Sequence, residues 1–325
     1  MARSILEQVR GAVDRYGDDG KLIAIEPSHR HPIGSFTTPE MAALEDDNIV
    51  LMRESQGKAS AISDAEKIRR WAARRGLAPD QTAAAEMTLS TRDWLSAIDG
   101  RAGAAKTTTV GAIRELAQEQ GYFVRGFGPT SGSVKALTEA GVLSRTVASL
   151  LENPPPEKHG REFWIVDESS LLATRQVNRL LHLAKDAGVE RIVFVGDQRQ
   201  HHAIEAGRPV YQMQQAGIAI VSLNVIRRQR DPKLRRAVEL ASAGKAAEVI
   251  EALKQQDRIT QIAAAVDRYR AIAEDYLRSY QAGQRTLVVS PANEERRELN
   301  RTIRELLVER GQVGRDGFVR SSSAS

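Results

Sequence analysis

The chain has 325 residues, 41% of them hydrophobic, and its 47 lysines and arginines exceed its 42 aspartates and glutamates for a formal net charge of +5. That is the composition of a globular protein of one large or two ordinary domains, and the mild basic excess suits a polyanionic partner. The lack of cysteine excludes disulfides, thiolate metal sites and cysteine nucleophiles and fits a reducing cytoplasm.

No stretch reaches the roughly 18 to 20 consecutive apolar residues of a membrane span, and the opening MARSILEQVRGAVDRYGDDG is too charged for a signal peptide, so no membrane insertion is expected. Residues 1–76 read as a mixed, mainly helical preamble. Within it, FTTPEMAALEDDNIVLMRE offers Thr38 as N-cap, Pro39 at the first helical position, and Met41, Leu44, Leu51 and Met52 along one side. A second helix is expected in SDAEKIRRWAARRG, capped by Ser63 and stopped by Gly76.

From Leu77 onward short apolar runs alternate with amphipathic stretches. The runs are WLSAIDG (94–100), YFVRGFG (122–128), EFWIVDE (162–168), RIVFVGD (191–197), IAIVSL (218–223) and TLVVS (286–290). Each has the length and bounding residues of a buried strand. TTTVGAIRELAQEQ, TRQVNRLLHLAKDAG and DPKLRRAVELASAG carry helical periodicity between them. The alternation predicts an α/β fold, a parallel sheet covered by helices, with ligands at the carboxyl ends of the strands. The tail SSSAS, 321–325, is expected to be frayed.

Several polar clusters fall at those strand ends. DGRAGAAKTTTV follows the first run and opens a helix; it has the Gly100, Lys106 and Thr107 of a phosphate-binding loop but Ala105 where the pattern G-x-x-x-x-G-K-[ST] asks for a second glycine. In such a loop backbone N–H groups face the anion, Lys106 reaches the terminal phosphates and the Thr107 hydroxyl ligates magnesium. If position 105 needs a left-handed backbone, alanine costs about 1–2 kcal/mol there. A glycine-rich turn without nucleotide is the rival reading. FWIVDESS ends a strand in Asp167 and Glu168, a carboxylate for magnesium and one for the attacking water; a solvated strand end is the alternative. VFVGDQRQ brings Gln200 to another strand end, where its amide can sense a terminal phosphate, and NVIRRQRDPKLRR offers Arg228 as an arginine finger, its other cations forming a wet helix face. Gln81, at a helix start beside Pro79, has an amide able to read an adenine edge. Thr130, Ser131 and Lys135 in GPTSGSVKAL are candidate contacts to the phosphates of a single strand, or else an ordinary helix start. The six histidines form no metal-ligand pattern.

In order and spacing, LAPDQTAAAEM, GRAGAAKTT, GPTSGSVKAL, WIVDESS, VGDQRQ and RRQ resemble the RecD-like superfamily 1 DNA helicases, more narrowly the helicase portion of TraI/TrwC-type (MobF) conjugative relaxases. The resemblance covers about residues 35–310. It implies a P-loop NTPase with a RecA-like sheet and ATP and Mg2+ as its cofactors. It places the nucleotide at Gln81, Gly100, Gly103, Ala104, Ala105, Lys106, Thr107 and Thr108 and the metal at Thr107 and Asp167. It makes Lys106, Glu168, Gln200 and Arg228 catalytic. Single-stranded DNA and conjugation proteins are the implied partners, in the cytoplasm. The expected organisation is the preamble 1–76, a RecA-like ATPase domain at 77–225, the start of a second RecA-like lobe at 226–320, and the tail. Against the pattern of that family, with no counterpart of the relaxase nuclease upstream and no late helicase motifs after TLVVSPANEERRELNRTIRELL, a truncated motor is expected. A decayed fragment that binds nucleotide or DNA without unwinding is its alternative, and an unrelated P-loop enzyme acting on a small molecule is a third.

Overall fold

Most of the apolar runs after Leu77 form strands, and those inside the sheet bury both of their faces. The computed structural model describes residues 20–25, 35–101, 103–154, 160–197, 207–223, 225, 229 and 231–314. Five of the expected runs are strands: β3 (Leu95–Gly100), β4 (Tyr122–Gly128), β6 (Arg161–Val166), β7 (Arg191–Gly196) and β8 (Ala219–Leu223). They are joined by β5 (Leu143–Thr146) in a six-stranded sheet of order β5-β4-β6-β7-β3-β8. Every pairing is parallel. A separate antiparallel pair, β1 (Ile23–Ile25) with β2 (Ser35–Thr37), lies in the preamble.

Alternation along the strands builds two cores. Phe163, Ile165, Val193 and Val195 face one side with Ile98, Ile113 and Leu116. Trp164, Val166, Ile192 and Phe194 face the other with Leu180, Leu181 and Met213. Burial on both faces is why these strands read as continuous apolar runs. The first face is covered by α2 (Ala65–Arg74), α3 (Pro79–Ser90), α4 (Lys106–Glu119) and α5 (Ser131–Glu139). The second is covered by α1 (Pro39–Ser55), α6 (Val147–Glu152), α7 (Thr174–Asp186) and α8 (Pro209–Gln215).

The preamble helices therefore belong to the core of the sheet. Leu51 and Met52 of α1 and Ile68 and Trp71 of α2 are all buried. Thr38 caps α1 as expected, accepting from Met41 N at 3.1 Å with Pro39 in the first turn. The expected Ser63 cap of α2 is corrected to Asp64, whose carboxylate accepts from Glu66 N at 2.9 Å and Lys67 N at 3.3 Å. A carboxylate complements the helix dipole better than a hydroxyl, and the backbone N of Ser63 is already tied to Leu89 O at 3.1 Å.

The chain divides into two compact units, Met1–Lys245 and Ala246–Ser325. The first ends with α9 (Pro232–Ser242), capped by Asp231. The described part of the second consists of α10 (Ala246–Lys254), α11 (Ala265–Gln281) and α12 (Asn293–Glu309), with α11 and α12 packed together through Ala273, Leu277 and Leu299. The strand expected at 286–290 is not formed. Leu287 and Val289 are 84% and 79% exposed, and no strand lies alongside them among the described residues to complete a ladder. The tail 321–325 lies outside the described residues.

Candidate nucleotide site

The sheet order puts the carboxyl ends of β3, β7 and β6 side by side, with Asp99 opposite Gly196 and Val166 opposite Phe194. The chain leaves β3 over one face of the sheet and arrives at β8 from the other, so a crevice opens at the tip of β3. The loop from Gly100 to Lys106 lies there and leads directly into α4.

Its described residues turn tightly. Ala104 N donates to Arg101 O at 3.0 Å, Gly103 has φ +79°, and Ala105 has φ 57° and ψ 38°. Alanine thus occupies the left-handed conformation that the motif reserves for glycine, and the loop keeps its shape with a methyl group there. Lys106 folds back over the loop, its Nζ donating to Gly100 O at 3.1 Å. Gly100 is needed for that path, since a Cβ on it would stand 2.7 Å from Lys106 Cγ and 2.8 Å from Cδ. Thr107 and Thr108 are exposed on the first turn of α4. Among the described residues no side chain caps that turn, so the leading N–H groups and the positive end of the helix face the crevice.

The second half of the site comes from β6. Asp167 N donates to Phe127 O of β4 at 2.8 Å, and Asp167 is partly buried. Burial pushes its carboxyl above the ordinary aspartate range, and Glu168 adds to the rise; the Glu168 N–H, donated to Asp167 Oδ1 at 2.9 Å, and the charge of Lys106 oppose it. Lys106 and Asp167, 61 positions apart in sequence, therefore share one electrostatic environment. Glu168 has φ 48°, a left-handed backbone that an L-residue holds only when its surroundings fix it. One oxygen, Oε2, accepts from Thr130 Oγ1 at 3.2 Å. Ser169 is buried beside it with no partner for its hydroxyl among the described residues, and it packs so tightly on Gly196 that a Cβ there would lie 3.0 Å from Ser169 Oγ.

Gln81 sits on α3 and is buried rather than open to solvent. Its Oε1 accepts from Ala78 N at 3.1 Å, and its Nε2 reaches Thr109 Oγ1 at 3.4 Å, which itself donates to Ala105 O at 3.1 Å. The helix before the sheet is thereby tied to the loop. Thr130 is the N-cap of α5, accepting from Ser133 N at 3.1 Å. Ser131 and Lys135 are exposed, the lysine 4.0 Å from Glu139. Asp197 at the tip of β7 is buried, while Gln200 and Arg228 lie outside the described residues. Of Arg230, Lys233, Arg235 and Arg236, expected as a solvated face, the last three are exposed on α9 and Arg230 lies outside the described residues. Motif spacing carries no signal for Thr109 or Ser133, because both act through short polar contacts made by the fold.

The clefts among the described residues include two of similar size. One of about 490 Å³ opens beside Thr107 and Thr108 and is walled by Trp71, Arg75, Glu115 and Gly141. The other, of about 520 Å³, is lined by Lys58, Trp94, Lys185 and Glu190 at the amino ends of β3 and β7, the wrong end of a parallel sheet for this chemistry. Among the described residues no group of three or more histidine, cysteine or acidic side chains is arranged to hold a metal ion. A magnesium ion held by one or two protein oxygens and by phosphates does not require one.

The AAA domain family matches residues 76–264, more than half of the chain and the whole of the crevice. The chain belongs to the AAA domain family. It is 32% identical over 235 residues to the conjugal transfer protein TraA of Rhizobium radiobacter, across 70% of this chain and 21% of that protein. It is 26% identical over 361 residues to the multifunctional conjugation protein TraI of Escherichia coli K12, across 95% of this chain and 20% of that one. With the ATP-dependent RecD2 DNA helicase of Deinococcus radiodurans it shares 29% identity over 163 residues, 48% of this chain and 22% of the helicase. These relatives bear out the resemblance to the RecD-like helicase portion of conjugative relaxases. The chain spans about a fifth of the length of the conjugation proteins it matches. Among the described residues no helix is long and apolar enough to cross a membrane.

Proposed function

We propose that this chain hydrolyses ATP with magnesium and couples the reaction to movement along single-stranded DNA, as the motor segment of a conjugation protein acting in the cytoplasm. The observation that carries the reading is the meeting of an uncapped helix start, Lys106 and the Asp167–Glu168 pair at the carboxyl ends of neighbouring parallel strands.

The residues present fit a nucleotide. The left-handed turn at Gly103 and Ala105 directs backbone N–H groups towards an anion. Lys106 exchanges the Gly100 carbonyl for the β- and γ-phosphates, and Gly103, Ala104, Ala105 and Thr108 line the cradle. Thr107 and Asp167 hold magnesium, which supplies charge neutralisation to the phosphates. Glu168 orients and polarises the attacking water. Gln200 and Arg228 complete the set as phosphate sensor and finger, and Gln81 meets the adenine once its own helix start releases the amide. Residues 77–225 form the ATPase domain in this reading and 226–320 begin a second lobe. Ala105 favours one alternative: a segment that binds nucleotide or DNA without unwinding.

The test is magnesium-dependent ATP hydrolysis with and without a single-stranded oligonucleotide. The expected result is a rate that DNA stimulates and that Lys106→Ala lowers by about 100-fold or more, the loss typical of removing one charge-stabilising donor. A rate that neither DNA nor the substitution alters rejects the motor.

A further inference from the structure

The loop between β3 and α4 carries a second cation that its motif does not ask for. Arg101 follows Gly100 directly, and its backbone is held on both sides: Arg101 N donates to Leu223 O of β8 at 3.2 Å, and Arg101 O accepts from Ala104 N at 3.0 Å. The first of these bonds carries the parallel ladder, in which Gly100 stands beside Leu223, one residue past the strand. The pleat therefore still alternates at Arg101. Gly100 turns its empty Cβ position towards Lys106 and Leu223, so Arg101 leaves the tip of β3 on the opposite face of the sheet from Lys106.

The Arg101 side chain is partly buried, and its Nε–H is buried without a partner. Arg114, Arg145 and Arg191 also bury one guanidinium nitrogen in this way. Each of them spends the rest of its fork on protein oxygens: Arg114 on Gln118 Oε1 at 2.9 Å, Arg145 on Asn153 O at 2.7 Å and Arg191 on Ser60 O at 2.8 Å. Among the described residues Arg101 makes no side-chain hydrogen bond of that kind. A buried N–H that has lost its water and gained nothing costs stability, and a guanidinium cannot shed its proton to escape the cost. The partner that suits a rigid, planar fork of donors is an oxyanion, and phosphate oxygens match it in pairs.

Resting on the motor reading, we propose that Arg101 is a further catalytic residue, which binds the terminal phosphate of the nucleotide from the face opposite Lys106. A DNA phosphate offers the same oxygens. The nucleotide is the better match because Arg101 belongs to the loop itself, its backbone tied to Ala104 just before the start of α4. Asp99, two residues earlier on the same face, stands beside Gly196 of β7, and the next strand along is β6, which leads into Asp167 and Glu168. A guanidinium on that side gathers the charge that the terminal phosphate develops as its bond to the leaving diphosphate breaks.

Arg101→Met removes the fork and keeps an unbranched apolar stem, while Arg101→Lys keeps the charge without the fork. Calorimetric titration in magnesium compares a non-hydrolysable ATP analogue with ADP, which lacks the terminal phosphate. The expected result is that Arg101→Met weakens the analogue about tenfold and leaves ADP at the wild-type affinity, and that Arg101→Lys recovers part of the loss. In hydrolysis, kcat falls by a larger factor than KM rises. The nucleotide-free Tm of Arg101→Met is expected to be no lower than wild type, because the orphaned N–H is gone. An equal loss for analogue and ADP, no loss for either, or a lowered nucleotide-free Tm overturns the assignment. So does a fall in affinity for a single-stranded oligonucleotide, read by fluorescence anisotropy without nucleotide while analogue binding stays intact, which gives the guanidinium to a DNA phosphate. In each of these cases wild-type nucleotide binding that Lys106→Ala weakens leaves the motor standing. A wild type with no Lys106-dependent binding overturns both.

Discussion

Ala105 holds φ 57° where the motif calls for glycine, a conformation that costs an alanine about 1–2 kcal/mol. Glycine there removes the strain but gives up about 0.5–1 kcal/mol to the freer unfolded chain. Ala105→Gly is therefore expected to stabilise the nucleotide-free protein slightly, raising Tm by roughly 2 °C; a lower Tm in thermal unfolding contradicts the strain. Asp167 is a residue whose burial costs stability. Its carboxyl lies above the ordinary aspartate range through burial, so above that raised pKa the ionised form is held at the folded state's expense. Asp167→Asn is expected to unfold at a higher temperature than wild type at neutral pH. The advantage shrinks as pH falls through the raised pKa and is gone below the ordinary aspartate range. The same variant loses magnesium-dependent hydrolysis. Thermal unfolding across pH checks the first statement, and an advantage that grows with acidity contradicts it.

At the scale of elements, the junction of β3 with α4 joins fold to function through Gly100. Its Cβ position is filled by the aliphatic part of Lys106, while its backbone has no positive φ. Gly100→Ala is thus expected to displace Lys106 and weaken nucleotide binding about tenfold while leaving Tm within roughly 2 °C of wild type. A binding loss matched by a large fall in Tm assigns the glycine to folding instead. The strand-to-helix junctions after β3, β4, β6 and β7 were legible in sequence because each of these strands is a short apolar run that stops at Gly or just before Asp. The edge strand β5, LSRT, gave no such signal: it is buried on little of its surface, with Leu143 62% exposed. The run TLVVS misled in the opposite direction, since apolar composition makes a strand only where a neighbour completes its hydrogen bonds. Asp64 displaced Ser63 as a cap for a reason that one-dimensional preference cannot resolve, both being good capping residues.

Across the whole molecule, Lys106, Asp167 and Glu168 were readable as candidates because they close recognisable motifs. Their convergence depends on the strand order β5-β4-β6-β7-β3-β8, which no periodicity encodes. The same order explains why the preamble is not an appendage: α1 packs on α7 and α8, where Asn178 Nδ2 donates to Asp47 Oδ2 at 2.7 Å and to Asn48 Oδ1 at 3.2 Å. What remained hidden was the pairing of Thr130 with Glu168, a contact between two motifs each of which has a complete explanation alone. The central claim is that a nucleotide's phosphates lodge between the start of α4 and the tips of β6 and β7. Calorimetric titration with a non-hydrolysable ATP analogue and magnesium, on wild type and Lys106→Ala, tests it most directly. The account predicts saturable binding to the wild-type chain that the substitution weakens at least about tenfold. Equal affinity in the two proteins, or no binding to the wild type, contradicts it.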